Sequence, residues 1–241
     1  ASHFQKAADL AEKEKRIPIQ IEALVGLARA HDLLENSKRA EDALRKANLL
    51  KPDEAHILLW LGGFLHEHGQ TEEAVDLLEK SLRLAASSQT EFHLALALSG
   101  RKQDGDRVRA TELFGHVARG DHRELRSPAL TFAVQGHLAA REFASARRLL
   151  GEISEEAVSQ ILLQSLIGLV AFEAGNIEQA HAQADSALRV WTVACDDSLV
   201  TESLARLLVR LDRYADALPM WQALVDPSMP GPAVDGLFGC A

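Results

Sequence analysis

Apolar residues recur along this chain at the three- and four-residue spacing of amphipathic helices, and this helical pattern itself repeats over a longer distance. The clearest copy runs from Leu58 to Leu78 and predicts two helices joined by a polar turn at Glu67 to Thr71. Leu24 and Leu44 precede Leu58 and Leu78 by the same interval of 34 residues. A fixed period of this length is typical of a solenoid built from stacked helical hairpins. The pattern therefore predicts an all-α protein rather than a fold with one central core.

A small residue marks the second helix of each predicted hairpin. The series is Ala40, Ala74, Ala110, Ala146, Ala180 and Ala217, with spacings of 34, 36, 36, 34 and 37 residues. The longer spacings predict insertions of two or three residues in the loops between helices.

This frame divides the chain into six repeats flanked by two partial ones. We predict repeats at 21–54, 55–88, 91–124, 127–160, 161–194 and 198–231, with the second helix of a truncated repeat at 1–19 and the start of another at 232–241. We expect Pro18 to end the first helix, because proline cannot continue the hydrogen-bond ladder. Ser127 and Pro128 are expected to begin the fourth repeat as capping residue and first-turn proline. We expect the chain to be a segment of a longer array.

Charge and composition narrow the classes of partner. The formal net charge is −9, which argues against nucleic-acid binding because phosphate recognition needs a cationic surface. No apolar run approaches the about 18 residues of a membrane span. Cys195 and Cys240 form no paired motif, so we expect neither a disulfide framework nor a thiolate metal site. The compartment stays open, with the cytoplasm favoured and the periplasm the alternative for a fragment of an exported protein.

Two short motifs resemble sites of chemistry, but neither has the residues that the chemistry requires. His66 and His68 are two positions apart, so on a helix they point to different sides, and the second histidine of H-E-x-x-H is missing. Gly100 to Gly105 has the spacing of a phosphate-binding loop but lacks the lysine and hydroxyl that follow such a loop. We predict no enzymatic activity, no cofactor and no metal site.

The repeat resembles the tetratricopeptide repeat, whose 34-residue consensus is W-x2-L-G-x2-Y, then A-x3-F, then P. The corresponding residues of the second repeat are Leu58, Leu61, Gly62, Leu65, Ala74 and Leu78. The resemblance implies a right-handed superhelical solenoid of antiparallel helix pairs, in which small residues let paired helices pack closely. It also implies that the first helices of the repeats line a groove that binds other proteins.

In this family the second, fifth, ninth and twelfth positions of each repeat face the groove. Applied to this chain, these positions give the candidate partner-binding residues Arg29, His56, Leu59, His66, Phe92, Gln135, Leu138, Leu162, Leu169, Phe172 and Arg206. Some family members clamp a terminal carboxylate with lysine and asparagine at the fifth and ninth positions of their first repeat. Val25 and Arg29 stand at these positions, so the resemblance does not extend to that specificity.

Two groups of residues, one apolar and one basic, each have more than one interpretation. Leu162, Leu169 and Phe172 lie at helical spacing and predict an apolar stripe, which either contacts a partner or is buried by an adjoining hairpin. The arginine-rich centre, Arg119 to Arg148, is either a surface for an acidic partner or a solvated face, and the solvated face is favoured because surface charge is the ordinary state of arginine.

The sequence as a whole predicts a protein–protein interaction scaffold that binds a peptide or helix of its partner in the groove. Two alternatives remain open. The array is a scaffolding segment of a larger enzyme, or of a secretion or assembly machine, whose active domain lies outside this chain. Otherwise it is a homotypic assembly module that self-associates through its repeat ends.

Overall fold

The computed structural model describes residues 1–154, 157–192 and 197–224, and every regular element in these ranges is an α helix. In chain order the helices are α1 Ser2–Lys13, α2 Ile17–Asp32, α3 Ser37–Leu50, α4 Ala55–Glu67, α5 Thr71–Leu84, α6 Ser88–Arg101, α7 Asp106–Arg119, α8 Arg123–Ala139, α9 Phe143–Glu152, α10 Gln160–Glu173, α11 Ile177–Val190, α12 Ser198–Arg210 and α13 Tyr214–Leu224. The predicted all-α fold is confirmed. None of these helices is long and apolar enough to cross a membrane. Cys195, Cys240 and the partial repeat predicted at 232–241 lie outside the described residues.

The helices fall into two compact units, one of Ala1–Leu113 and one that starts at Phe114. In the first unit α2 packs against α3, and α4 packs against α5, while α3 and α6 also contact α4. In the second unit the pairs are α8 with α9, α10 with α11 and α12 with α13. We call α2, α4, α6, α8, α10 and α12 the first helices, and α1, α3, α5, α7, α9, α11 and α13 the second helices.

A residue with left-handed backbone closes each hairpin turn. These residues are Glu35, Gly69, Gly105, Arg141, Gly175 and Asp212, with spacings of 34, 36, 36, 34 and 37 residues. In five of the six turns the next residue donates its N–H to the carbonyl five positions back, at 2.8 or 2.9 Å, which is the Schellman pattern of a helix end. The spacings equal those of the small residues in the second helices, so turn and helix follow the same frame.

Glycine lies where the helices come closest. A Cβ at Gly62 would lie 2.7 Å from Leu78 Cγ and 3.2 Å from Ala74 O, so the missing side chain lets α4 approach α5. Leu78 and Ala74 are themselves fully buried. In the second unit a Cβ at Gly168 would lie 2.5 Å from a methyl carbon of Leu207, where α10 meets α12. This close packing is what the resemblance implies for the small positions.

Both predicted proline boundaries differ from the structure. α1 has already ended when the chain reaches Pro18, which lies in the first turn of α2, where its missing N–H is not needed. α8 begins five residues before Pro128, so this proline lies inside the helix rather than at its start. There it removes only the hydrogen bond to the Glu124 carbonyl, and the residues that follow, Ala129 and Leu130, are fully buried. The turn that precedes Pro128, at 123–127, consists of exposed and half-buried residues, so α8 accommodates the proline at the cost of one hydrogen bond and its early start does not depend on burial.

Candidate partner-binding surface

Ion pairs connect successive second helices of the first unit. Arg45 of α3 donates hydrogen bonds of 2.7 and 2.8 Å to the two carboxylate oxygens of Glu73 on α5. These hydrogen bonds lower the pKa of Glu73. Arg109 of α7 pairs in turn with Glu79 of α5. Charged side chains of neighbouring second helices therefore bind one another.

The first helices of the same unit meet through different chemistry. The guanidinium of Arg29, on α2, lies 5.1 Å from the ring centroid of Trp60, on α4. This distance is within the range of a cation–π interaction. Trp60 keeps 43% of its surface exposed, and Arg29 is exposed as well. Within the described residues, the side chain of Arg29 makes no ion pair or hydrogen bond.

Two histidines fill the space between α4 and α6 in a reciprocal arrangement. His93 of α6 lies over Gly63 of α4, where a Cβ would be 3.2 Å from the imidazole Nδ1. His66 of α4 lies over Gly100 of α6, where a Cβ would be 2.9 Å from Cε1. Burial lowers the pKa of both histidines, against an opposing effect of the Glu67 carboxylate. Both imidazoles are therefore neutral at neutral pH.

The predicted partner-binding residues of the first unit differ in how accessible they are. Arg29 and His56 are exposed on α2 and α4, and Leu59 and His66 are half-buried on α4. Phe92, on α6, is buried, which leaves its side chain little contact with solvent. The structure thus brings Arg29 close to α4, and it gives Phe92 a place in the packing between helices. The binding role of these residues stays a prediction.

In the second unit the expected exposed apolar stripe is interrupted. Leu162 is fully buried, whereas Leu169 and Phe172 are half-buried on the same helix. The physical reason is that α10 contacts α8, α9, α11 and α12, so little of its circumference reaches solvent. The expectation of exposure is wrong for Leu162. Leu169 and Phe172 remain candidates for partner contact.

The remaining candidates of the second unit lie on the first helices α8 and α12. Gln135 is exposed and Leu138 half-buried on α8, and Arg206 is exposed on α12. Arg206 donates hydrogen bonds of 3.1 and 2.6 Å to Glu202, one turn earlier. In contrast to Arg29, this arginine already has a carboxylate partner.

Several arginines of the arginine-rich centre have partners inside the second unit. Arg119 donates a hydrogen bond of 2.6 Å to Glu152, and Arg126 donates one of 2.7 Å to a backbone carbonyl. The Arg141 guanidinium lies 5.6 Å from the ring centroid of Phe143. These contacts favour a structural role for these three side chains.

Two residues of the first-helix surface, Trp60 and His93, are absent from the set predicted from the repeat frame. Arg29 meets Trp60 at a separation of 31 residues, and Gly63 meets His93 at a separation of 30. The first separation is three residues shorter than the local period of 34, and the second is six residues shorter than the local period of 36, whereas His66 meets Gly100 at a separation of 34. Contacts between neighbouring first helices therefore do not keep a fixed offset from the repeat frame.

Comparisons with known proteins agree with this architecture. A family model described as tetratricopeptide repeat matches residues 25–89 and 166–232, more than half of the chain. No curated protein sequence matches the chain.

Several solved structures resemble the chain at low sequence identity. An assembly chaperone of RpL4 (Acl4) has 13% identity and a TM-score of 0.67, with 91% of this chain and 95% of that chain covered. A tetratricopeptide repeat protein from Parabacteroides merdae has 15% identity and a TM-score of 0.64, with 89% and 82% covered. YrrB, described as a tetratricopeptide repeat protein with an unusual peptide-binding site, has 16% identity and a TM-score of 0.60, with 82% and 97% covered.

At these identities the structural likeness concerns the fold alone. The family follows from the matched sequence, which covers the second and sixth predicted repeats and most of the first and fifth, together with the helical hairpins and the glycine and alanine contacts inside them. This chain belongs to the tetratricopeptide repeat family.

Proposed function

We propose that this protein is a scaffold without chemistry of its own, which holds a peptide or helix of a partner protein on its first helices. We define the first-helix face as the exposed surface of α2, α4 and α6 in the first unit, and of α8, α10 and α12 in the second. Each unit is treated as a separate binding surface. Tetratricopeptide repeats ordinarily serve as protein-interaction scaffolds, and the proposal adds which surface does the binding.

The observation that carries the proposal is the exposed Trp60 beside the unpaired Arg29. Trp60 keeps 43% of its surface exposed, and tryptophan and arginine are enriched among the residues that contribute most to binding at interfaces. The charged side chains on the second helices of the same unit already have partners within the protein. Arg45 pairs with Glu73, and Glu79 pairs with Arg109. In the second unit, the half-buried Leu169 and Phe172 supply apolar contact area.

Selection from a displayed library of random 12-residue peptides tests the proposal. The parent chain is expected to enrich a defined set of peptides. Trp60→Glu, or Leu169→Glu combined with Phe172→Glu, is expected to abolish binding of that set while circular dichroism shows unchanged helicity. The matched control is Leu49→Glu, because Leu49 is an apolar residue of the second helix α3 with 80% of its surface exposed. If the control loses binding and both first-helix variants retain it, the proposal is wrong.

Self-association is a second candidate, favoured by the composition of the first hairpin. Phe4 and Leu10 of α1, and Ile17 and Ile19 of α2, all keep more than 40% of their surface exposed. In a repeat array such residues are buried when another hairpin stacks on them. Light scattering over a hundredfold range of concentration tests this, with Leu10→Glu as the variant that should favour the monomer. A parent chain that is monomeric throughout the range rules the candidate out.

A further inference from the structure

Arg29 of α2 and Trp60 of α4 form a pair of exposed side chains on the first-helix face. The guanidinium lies over the indole at 5.1 Å, and both side chains reach solvent. Arg29 has no carboxylate or carbonyl partner among the described residues. A guanidinium stacked on a ring keeps its N–H donors directed outward in the plane of the group, because a cation–π contact uses only the face.

Arg206 is an arginine on another first helix, and its guanidinium already has a carboxylate partner within the protein. It lies on the first helix α12 and binds Glu202 of the same helix with two hydrogen bonds. At Arg29 the residues four positions away, Val25 and Leu33, have no acceptor side chain, and the Asp32 carboxylate, three positions later, lies 3.5 Å from His68 Nε2 instead. The donors of Arg29 are therefore available to an acceptor from outside.

We propose that Arg29 and Trp60 recognise an acidic side chain, aspartate or glutamate, that stands beside an apolar side chain within a partner's peptide segment. This inference rests on the proposed function and names the chemistry of its partner. The carboxylate accepts hydrogen bonds from the planar donor fork of Arg29, a geometry that arginine offers and lysine does not. The neighbouring apolar side chain packs on the exposed part of the Trp60 ring.

The charges around Arg29 favour a ligand that has one carboxylate side chain within a longer peptide segment. Glu22 lies two turns before Arg29 on α2 and is exposed, and Asp32, which is half-buried, lies three residues after Arg29. A phosphate group or a run of acidic residues is repelled more strongly by these two carboxylates than a single carboxylate that pairs with Arg29. His56 is exposed one turn before Trp60 on α4, so the surface continues on that side as well. We therefore assign the carboxylate to a side chain inside the segment rather than to the end of a chain.

The experiment uses the whole chain and one peptide enriched by the parent in the library selection, synthesised with an amidated C-terminus. Fluorescence anisotropy gives the Kd of this peptide and of its copy with the acidic residue replaced by its amide. We expect Arg29→Gln to weaken binding of the acidic peptide by about tenfold or more, since a charge-assisted hydrogen bond is lost. The amide peptide should bind the parent and the Arg29→Gln variant equally.

Two controls separate this site from a general effect of charge. Arg39→Gln removes a cation of equal charge from the exposed surface of the second helix α3 in the same unit and should leave both Kd values unchanged. Trp60→Phe should retain most of the affinity and Trp60→Ala should lose it, because the aromatic surface supports both the apolar residue and the guanidinium.

Some results would contradict the inference about Arg29 alone, and one would contradict the proposed function as well. If the parent enriches peptides without an acidic residue, or if Arg29→Gln affects the acidic and amide peptides equally, the inference about Arg29 is overturned and the scaffold function stands. If Arg39→Gln weakens binding as much as Arg29→Gln, the effect is general electrostatic attraction and the inference is again overturned. If the parent enriches no peptide at all, the proposed function fails, and the inference fails with it.

Discussion

Replacing Gly62 with alanine places a methyl group between α4 and α5, where the structure has no room for it. The added Cβ would lie 2.7 Å from Leu78 Cγ and 3.2 Å from the backbone oxygen of Ala74. Carbon atoms in contact normally lie about 3.5 to 4.0 Å apart. Leu78 is fully buried and Ala74 O belongs to the backbone of α5, so neither has free space into which to move.

Two opposing effects decide the sign of the change in unfolding free energy. Alanine is favoured over glycine inside a helix by about 0.5–1 kcal/mol. Forcing an extra carbon into a packed core costs about 1–3 kcal/mol. The overpacking term is the larger, so Gly62→Ala should lower the unfolding free energy by about 1 kcal/mol, from the difference of these ranges.

Gly151 provides a matched control. It lies in α9, and a Cβ there would meet nothing within 4 Å. Gly151→Ala should therefore raise the unfolding free energy by up to about 0.5–1 kcal/mol, the helix-propensity gain alone. Urea denaturation followed by circular dichroism measures both variants under one set of conditions.

The double variant with Leu78→Ala tests the cause directly. Leu78→Ala alone should cost about 2–5 kcal/mol, because it opens a cavity. In that background the clashing Cγ is gone, so Gly62→Ala should become neutral or stabilising and the two effects should not add. If Gly62→Ala stabilises the parent as much as Gly151→Ala does, the close approach of α4 and α5 is not what the structure indicates.

Two further predictions concern the histidine pair and the hairpin turns. Because burial lowers the pKa of His66 and His93, the unfolded chain takes up protons before the folded one, and the unfolding free energy should fall as the pH drops below about 6.5. His93→Gln should reduce this pH dependence of the unfolding free energy, which urea denaturation between pH 8 and pH 5 measures. His56→Gln serves as the exposed control. An unchanged pH dependence in His93→Gln would contradict the role of the buried histidine. Glu35 has φ 58°, so Glu35→Gly should raise the melting temperature by relieving about 1 kcal/mol of left-handed strain, and Gly69→Ala, at φ 80°, should lower it. Equal melting temperatures in the parent and both turn variants would show that these residues carry no strain.

The repeat frame could be predicted from the sequence because it depends on residues that are close together in the chain. Small residues at Gly62 and Ala74 mark helix approach, and the left-handed turn residues keep the same spacing even where the frame lengthens to 36 or 37 residues. The helix bounds around Pro128 were not accessible in this way. α8 begins five residues before the proline and accommodates it at the cost of one backbone hydrogen bond, which a local capping signal does not indicate.

The binding surface was predicted less completely than the fold. Positions taken from the repeat frame include Arg29 but miss Trp60, because contacts between neighbouring first helices do not keep a fixed offset from that frame. Leu162 was expected on an open face, yet α10 has helices on several sides. The number of helices that surround a given helix depends on contacts between residues far apart in the sequence. The apolar periodicity within one helix does not reveal that number.

Photo-crosslinking of a bound peptide tests the central claim most directly. A peptide enriched by the parent chain is synthesised with a benzophenone side chain at each position in turn, irradiated in complex with the parent, and the crosslinked residues are located by mass spectrometry. The account predicts crosslinks on first helices, with α2 and α4 around Arg29 and Trp60 as the expected sites in the first unit. Crosslinks confined to the second helices, such as α3 and α5, would contradict it.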